Sequence, residues 1–203
     1  MGYVTKVNPI GVDIVINNII ESMYEGLESA GWTNYEAYHR CYKNPVDGEG
    51  QYIPEAYTAE SVNQHDYREV LMDDNKRSSS FFITGDSTSY DNGLFKVPIS
   101  IIFQLNSQEL YDQLVSRADE EARNDAIVSI REGAYGSSIT SIDTSIPVVY
   151  SEFKTENIAF TDMSPLHVFR VNLSVDVDYS CDYYCTYPVG DGGFDYKMGS
   201  GIN

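Results

Sequence analysis

Two long stretches of the chain alternate apolar and polar residues. In the later one Phe169, Val171, Leu173, Val175, Val177 and Tyr179 fall on one side of an extended backbone, and Arg170, Asn172, Ser174, Asp176, Asp178 and Ser180 on the other. Phe95, Val97, Ile99, Ile101, Phe103 and Leu105 repeat the pattern against Lys96, Pro98, Ser100, Gln104 and Asn106, and only Ile102 breaks it. A period of two at this length predicts strands with one face on a core and the other on water or a partner. Pro98 lacks an N–H for a ladder, so its strand is expected to have an open side or a bulge there. Phe81 to Thr84 reads as the hairpin partner of this strand, connected through residues 85–93, which include Asp91-Asn92-Gly93.

Helical spacing governs two other stretches. Val12, Val15, Ile16, Ile19, Met23, Leu27 and Ala30 predict a helix from Pro9 to Ala30, capped at Asn8, with Gly31 in the left-handed position past its end. Leu110, Leu114, Ala118, Ala122, Ala126 and Ile130 predict a second, from Ser107 to Arg131, opened by a capping-box pair of Asn106 and Glu109. Asp119 with Arg123 and Arg117 with Glu121, each four apart, support it.

Between these elements the text is punctuated. Residues 34–57 read as a short strand, a loop and a second short strand, residues 41–80 as a polar excursion that is mobile over 58–80, and Ile146 to Tyr150 as another strand. After Tyr184 only Gly, Tyr and Asp dominate, which predicts a flexible arm over 181–203. The expected architecture is α+β, a mixed or mostly antiparallel sheet packed by two long helices, in a single domain over residues 1–180.

Charge then narrows the partners. The 203 residues carry 31 acids against 13 bases, a formal net charge of −18, which argues against a surface that grips nucleic-acid phosphates. The same charge keeps a polyanion from sticking to a passage through which it must move. Cys41, Cys181 and Cys185 are odd in number and too few for a disulfide framework, so a reducing compartment is expected. The opening residues contain no apolar run of signal length, and no membrane span is predicted. Seventeen tyrosines against one tryptophan lean toward association, because tyrosine joins a large apolar face to a polar tip.

Candidate chemistry is sparse. His39 and Cys41 with Cys181 and Cys185 would supply one nitrogen and three sulfurs for zinc, but their spacing is not that of a zinc knuckle, and free thiols are the simpler reading. Asp176, Asp178 and Asp182 share the polar side of the last strand and its extension, yet alternate residues on one strand diverge, which favours a solvated or channel-facing acidic stripe over a cation site. Residues 86–93 miss the offsets of a calcium loop. There is no Gly-x-Ser-x-Gly elbow and no phosphate-cradling glycine loop, and His39, His65 and His167 lack a nearby nucleophile motif. The sequence therefore assigns no catalytic, cofactor-binding or metal residue, and a non-enzymatic protein is expected.

The order of elements, with Val12-Asp13-Ile14-Val15-Ile16-Asn17-Asn18-Ile19-Ile20, Lys96-Val97-Pro98-Ile99-Ser100-Ile101-Ile102-Phe103 and Phe169-Arg170-Val171-Asn172-Leu173-Ser174-Val175, resembles tailed-phage tail-terminator and tail-completion proteins over residues 9–180. The acidic, tyrosine-rich character with a polar insertion is also similar to neck-ring (head-tail connector) proteins of crAss-like phages. The resemblance implies a virion structural subunit in a ring of six or twelve copies at the head-tail neck or tail top. Such a ring joins connector or portal to tail and surrounds the DNA channel, with DNA only as passing cargo. Its partners would be its own copies and the adjacent neck, portal or tail proteins, with no membrane, and it would assemble in the host bacterial cytoplasm. The alternative is a monomeric or dimeric protein-binding module of a bacterial cell, with the tyrosine-rich 35–57 region as its contact surface.

Overall fold

The computed structural model describes residues 2–42, 53–57, 67–71, 78–112, 118–133, 137–154 and 165–178. In chain order the elements are β1 (Gly2–Tyr3), α1 (Val12–Ser29), β2 (Tyr35–Tyr42), β3 (Glu55–Tyr57), β4 (Tyr67–Glu69), β5 (Ser78–Thr84), β6 (Ser89–Asp91), β7 (Leu94–Asn106), α2 (Ser107–Leu110), α3 (Asp119–Gly133), β8 (Ser137–Asp143), α4 (Ile146–Val149) and β9 (Leu166–Val177). The strands form one nine-stranded sheet in the order β4-β3-β2-β5-β7-β9-β8, with β1 added to β2 and β6 to β7. Pairing is antiparallel except for β1 with β2 and β2 with β5. The expected mixed, mostly antiparallel sheet is therefore present.

The two alternating stretches are β7 and β9, and they are central neighbours. Their register runs without a break from Phe95 opposite Val177 to Asn106 opposite Leu166. Odd-numbered residues of both strands point to the same face because side chains alternate along a strand. Val97, Ile99, Ile101, Phe103 and Leu105 thereby join Phe169, Val171, Leu173, Val175 and Val177 in the main core. Helices α1 and α3 cover this face, burying Ile16, Ile19, Ile20, Met23 and Leu27 from one and Ala122, Ala126 and Ile130 from the other. Phe103 and Phe169, directly opposite in register, stack with ring centroids 4.8 Å apart.

Helix α1 starts at Val12 with Gly11 as its cap, three residues later than Asn8 and Pro9 predict. Asn8 and Gly11 both have positive φ, at 54° and 56°, so the backbone between them turns before the helix can begin. Its end follows expectation. Gly31 adopts a φ of 94°, its N–H donates to the Glu28 carbonyl, and the Trp32 N–H donates to the Leu27 carbonyl, a Schellman closure. Trp32 and Leu27 both lie in the main core.

The predicted helix from Ser107 to Arg131 is not one element. The Asn106 cap forms, with its side chain accepting from the Gln108 and Glu109 backbone N–H groups, but α2 ends at Leu110 and α3 begins at Asp119. Instead of two long helices the described residues contain helices of 18 and 15 residues plus two of four residues each. A hydrogen bond explains the break. Tyr111 OH donates to Asp125 Oδ2 at 2.7 Å, whereas fourteen residues of continuous helix would separate their backbones by about 21 Å. Arg117, expected to pair with Glu121, lies outside the described residues.

The opposite face is also partly covered, which the alternation did not predict. Ile102, the apolar residue out of phase, enters a second core with Phe81, Ile83, Val149, Tyr150, Phe153 and Val168. The expected strand at Ile146 to Tyr150 is instead the single turn α4, with Pro147 in its first turn, where a missing N–H costs nothing. Val149 and Tyr150 drop from this turn onto the sheet, and the edge strand is Ser137–Asp143. Within residues 85–93, Asn92 and Gly93 form a tight two-residue turn of their own, both at positive φ, between β6 and β7. Pro98 sits where β5 ends and before β6 pairs. Its carbonyl accepts from the Gly85 N–H at 2.8 Å, so the donor it lacks would face this gap and not β9.

The polar excursion expected over 41–80 is sheet in its described parts. Residues 41–42 end β2, 53–57 and 67–71 contain β3 and β4, and Ser78, Ser79 and Ser80 open β5 fully buried, so the mobile reading of 58–80 fails where the strands pair. Residues 43–52, 58–66 and 72–77 lie outside the described residues, as does the arm 181–203.

Candidate functional site

Three places concentrate polar or exposed aromatic groups. The first lies at the start of α1. Asp13, 2 % exposed, meets Lys6 Nζ at 2.5 Å through Oδ2 and Arg40 Nε at 2.7 Å through Oδ1. The Arg40 Nε approach is an ion pair without hydrogen-bond alignment, whereas Arg40 Nη2 donates to Oδ2 at 3.1 Å. Lys6 and Asn17 add a reciprocal pair of bonds, backbone N–H to Oδ1 and Nδ2 to backbone carbonyl, both at 3.0 Å. These bonds tie the N-terminal segment, α1 and β2 together where Gly11 offers no capping side chain. The carboxylate is thus engaged in positioning.

His39 borders this cluster. Burial holds its imidazole down at about 4, with Arg40 and Lys6 pushing the same way and Asp13 only partly offsetting them. Its Nε2 is buried without a hydrogen-bond partner among the described residues. The ring is therefore neutral near pH 7.

The second place lies under α4. Arg170 of β9 donates from Nη1 and Nη2 to the two Glu152 oxygens at 2.6 and 2.8 Å, from Nη2 to Ser100 Oγ, and from Nε to Asn172 Oδ1. Asn172 then donates to Ser141 Oγ and Asp143 Oδ2 of β8. Burial pushes the Glu152 carboxyl up, but the Arg170 guanidinium outweighs it and holds the group below its ordinary value. A bidentate pair in this setting fixes the segment after α4 against the sheet. The sequence signal for it was Arg170, an Arg on the polar side of a strand; its partner Glu152 had no pattern to announce it.

The third place is the rim of the sheet. At one end β8 pairs with β9 on one side and has no strand on the other among the described residues. A groove of about 250 Å³, lined by Ile130, Arg131, Ser137, Ser138 and Ile139, runs between this strand and α3. At the other end are β3 and β4, where the exposed rings of Tyr42 and Tyr67 lie 5.8 Å apart and Tyr57 and Tyr67 lie 6.5 Å apart.

The residues singled out by chemistry do not converge on a site. A bulge in β2 between Ala37 and Arg40 separates His39, which faces Asp13, from Cys41, which enters the second core, so two residues two apart do not share one side. Burial pushes the Cys41 thiol well up, with Glu55 adding to it, which makes it unreactive. Cys181, Cys185, Asp182 and His65 lie outside the described residues. Asp176 is exposed opposite Lys96, Asp178 follows the end of β9, and His167 packs beside Phe169 with ring centroids 5.8 Å apart. Among the described residues no group of three or more His, Cys, Asp or Glu side chains could hold a metal ion. No helix among them is long and apolar enough to cross a membrane.

The fold and these surfaces define an α/β protein built on a mixed, mostly antiparallel sheet with α1 and α3 on one face, the single turn α4 on the other, and a strand edge that no other strand covers among the described residues. Comparison with protein families, with curated proteins and with solved structures returned no match.

Proposed function

We propose that this chain is a non-enzymatic virion structural protein that forms an oligomeric ring at the head-tail neck or tail top of a tailed phage. The ring joins connector or portal to tail around the DNA channel. One observation carries this reading: β8, seven residues long, ends the sheet with its outer backbone groups facing away from every other described strand. Such an edge is a template for an extended segment of a neighbouring copy, and a contact of that kind repeated by rotation closes a ring. The net charge of −18 supports a passage that DNA traverses without adhering.

Sedimentation and native mass measurement of the full chain test the reading. Species of six or twelve copies are expected, and Ile142→Lys, which places a charge on an exposed position of β8, should shift them toward monomer without altering the unfolding transition. A wild-type chain that stays monomeric at high concentration and in assembled particles would overturn it. The exposed tyrosines of β2 and β4 favour a second reading, a monomeric or dimeric protein-binding module, for which the same measurements should return one or two copies.

A further inference from the structure

We infer that the exposed face of β2, β3 and β4 is a receptor for an arginine or lysine side chain of a partner protein. The register places five residues on it. Tyr42 lies opposite Glu55, Glu55 opposite Glu69, and Tyr57 opposite Tyr67. Because side chains alternate, Tyr42, Glu55, Tyr57, Tyr67 and Glu69 share one side, while Cys41 and Ala56 point to the second core on the other. The aromatic group is close-set, with Tyr42 and Tyr57 flanking Tyr67 at centroid distances of 5.8 and 6.5 Å. It is also accessible: Tyr42 is 44 % and Tyr67 49 % exposed, and Glu69 is exposed.

Three ring faces beside two carboxylates attract a cation twice. Each ring offers a negative quadrupole, and each carboxylate a full charge and hydrogen-bond acceptors. Two glutamates directly opposite in an antiparallel pair repel each other, and a cation lodged between them turns that repulsion into attraction on both sides. The occupant is a basic partner protein, because two carboxylates on this face and a net charge of −18 over the chain draw a cationic segment over the approach. The face lies at the end of the sheet remote from β8, so it stands apart from the edge proposed for ring closure.

Calorimetric titration of the full chain with acetyl-(Arg)₃-amide, against acetyl-(citrulline)₃-amide as the uncharged control, tests the inference. Saturable binding of the arginine peptide alone is expected. Tyr67→Ala and Glu69→Gln should each weaken it about tenfold, Tyr67→Phe, which keeps the ring, should retain it, and Glu21→Gln on the exposed side of α1 should leave it unchanged. Circular dichroism confirms folding of each variant, all of which are exposed positions. Equal binding of both peptides, or full binding by Tyr67→Ala and Glu69→Gln, would overturn the inference, since the latter marks diffuse attraction to an acidic protein.

Discussion

Gly26 of α1 and Ser129 of α3 meet so closely that a Cβ on Gly26 would stand 2.7 Å from the Ser129 Cβ and 3.1 Å from its Cα. The two helices cross at this point, and the absence of a side chain on one of them sets their separation. Backbone atoms of α3 would have to move to admit even a methyl group.

Gly26→Ala should therefore destabilise the protein by about 2–3 kcal/mol, although alanine in a helix interior gains about 1 kcal/mol over glycine. Urea unfolding measures the loss. Adding Ser129→Gly removes the nearest two obstacles and should recover part of it, so the two changes will not be additive.

The single tryptophan reports on a second junction. Trp32 Nε1 donates to Tyr111 OH at 3.0 Å and to Asp125 Oδ2 at 3.2 Å, and Tyr111 OH donates to the same carboxylate. Asp125→Ala leaves the Tyr111 hydroxyl without its acceptor and the Trp32 N–H with the Tyr111 oxygen alone, and should cost about 2–3 kcal/mol, whereas Tyr111→Phe leaves Trp32 its bond to Asp125 and should cost about 1 kcal/mol. Tryptophan emission should shift in both variants, and chemical unfolding gives the ordering.

Arg170→Met leaves the Glu152 carboxylate without its guanidinium in a half-buried setting, and should cost about 3 kcal/mol at neutral pH. Because the folded Glu152 value lies below the ordinary one, its stabilisation is fully present above the ordinary value and is lost as pH falls through the folded value. The variant should therefore lose less stability than the wild type on acidification. Thermal midpoints across pH 3 to 7, roughly spanning that window, check this.

His39 makes a separate acid-sensitive contribution. Its folded value of about 4 lies below the ordinary 6.5, so the unfolded chain binds the proton first as pH falls. Stability from this residue is complete above 6.5 and declines toward 4, by at most about 1.4 kcal/mol for each pH unit. His39→Gln should flatten the profile within that window. A steeper profile in the variant would contradict the neutral, buried assignment.

Much of the principal core was legible from residue order. Val97, Ile99, Ile101, Phe103 and Leu105 of β7, Phe169, Val171, Leu173, Val175 and Val177 of β9, Val12, Ile16, Ile19, Met23 and Leu27 of α1, and Ala118, Ala122, Ala126 and Ile130 are buried where periodicity predicts, whereas Phe95 and Val15 are half-buried and Ala30 is exposed. The rims and charged clusters were less legible. Asp13 reads as one acid in an apolar run, and only the return of Lys6 and of β2 to its side makes it a buried ion cluster. The tyrosines of β2, β3 and β4 were visible as a composition, but their shared face follows from strand register.

Sequence alone determined which face of each long ribbon is apolar and where α1 ends, because pleat, helical period and the Gly31 turn are properties of neighbouring residues. Tertiary structure alone decided that the second helix breaks at Tyr111, that Ile146 to Tyr150 is a turn feeding a second core, and that the two ends of the sheet differ. Those outcomes rest on partners such as Trp32 with Tyr111 and Arg170 with Glu152, 79 and 18 residues apart, whose bonds exist only once the chain has closed on itself.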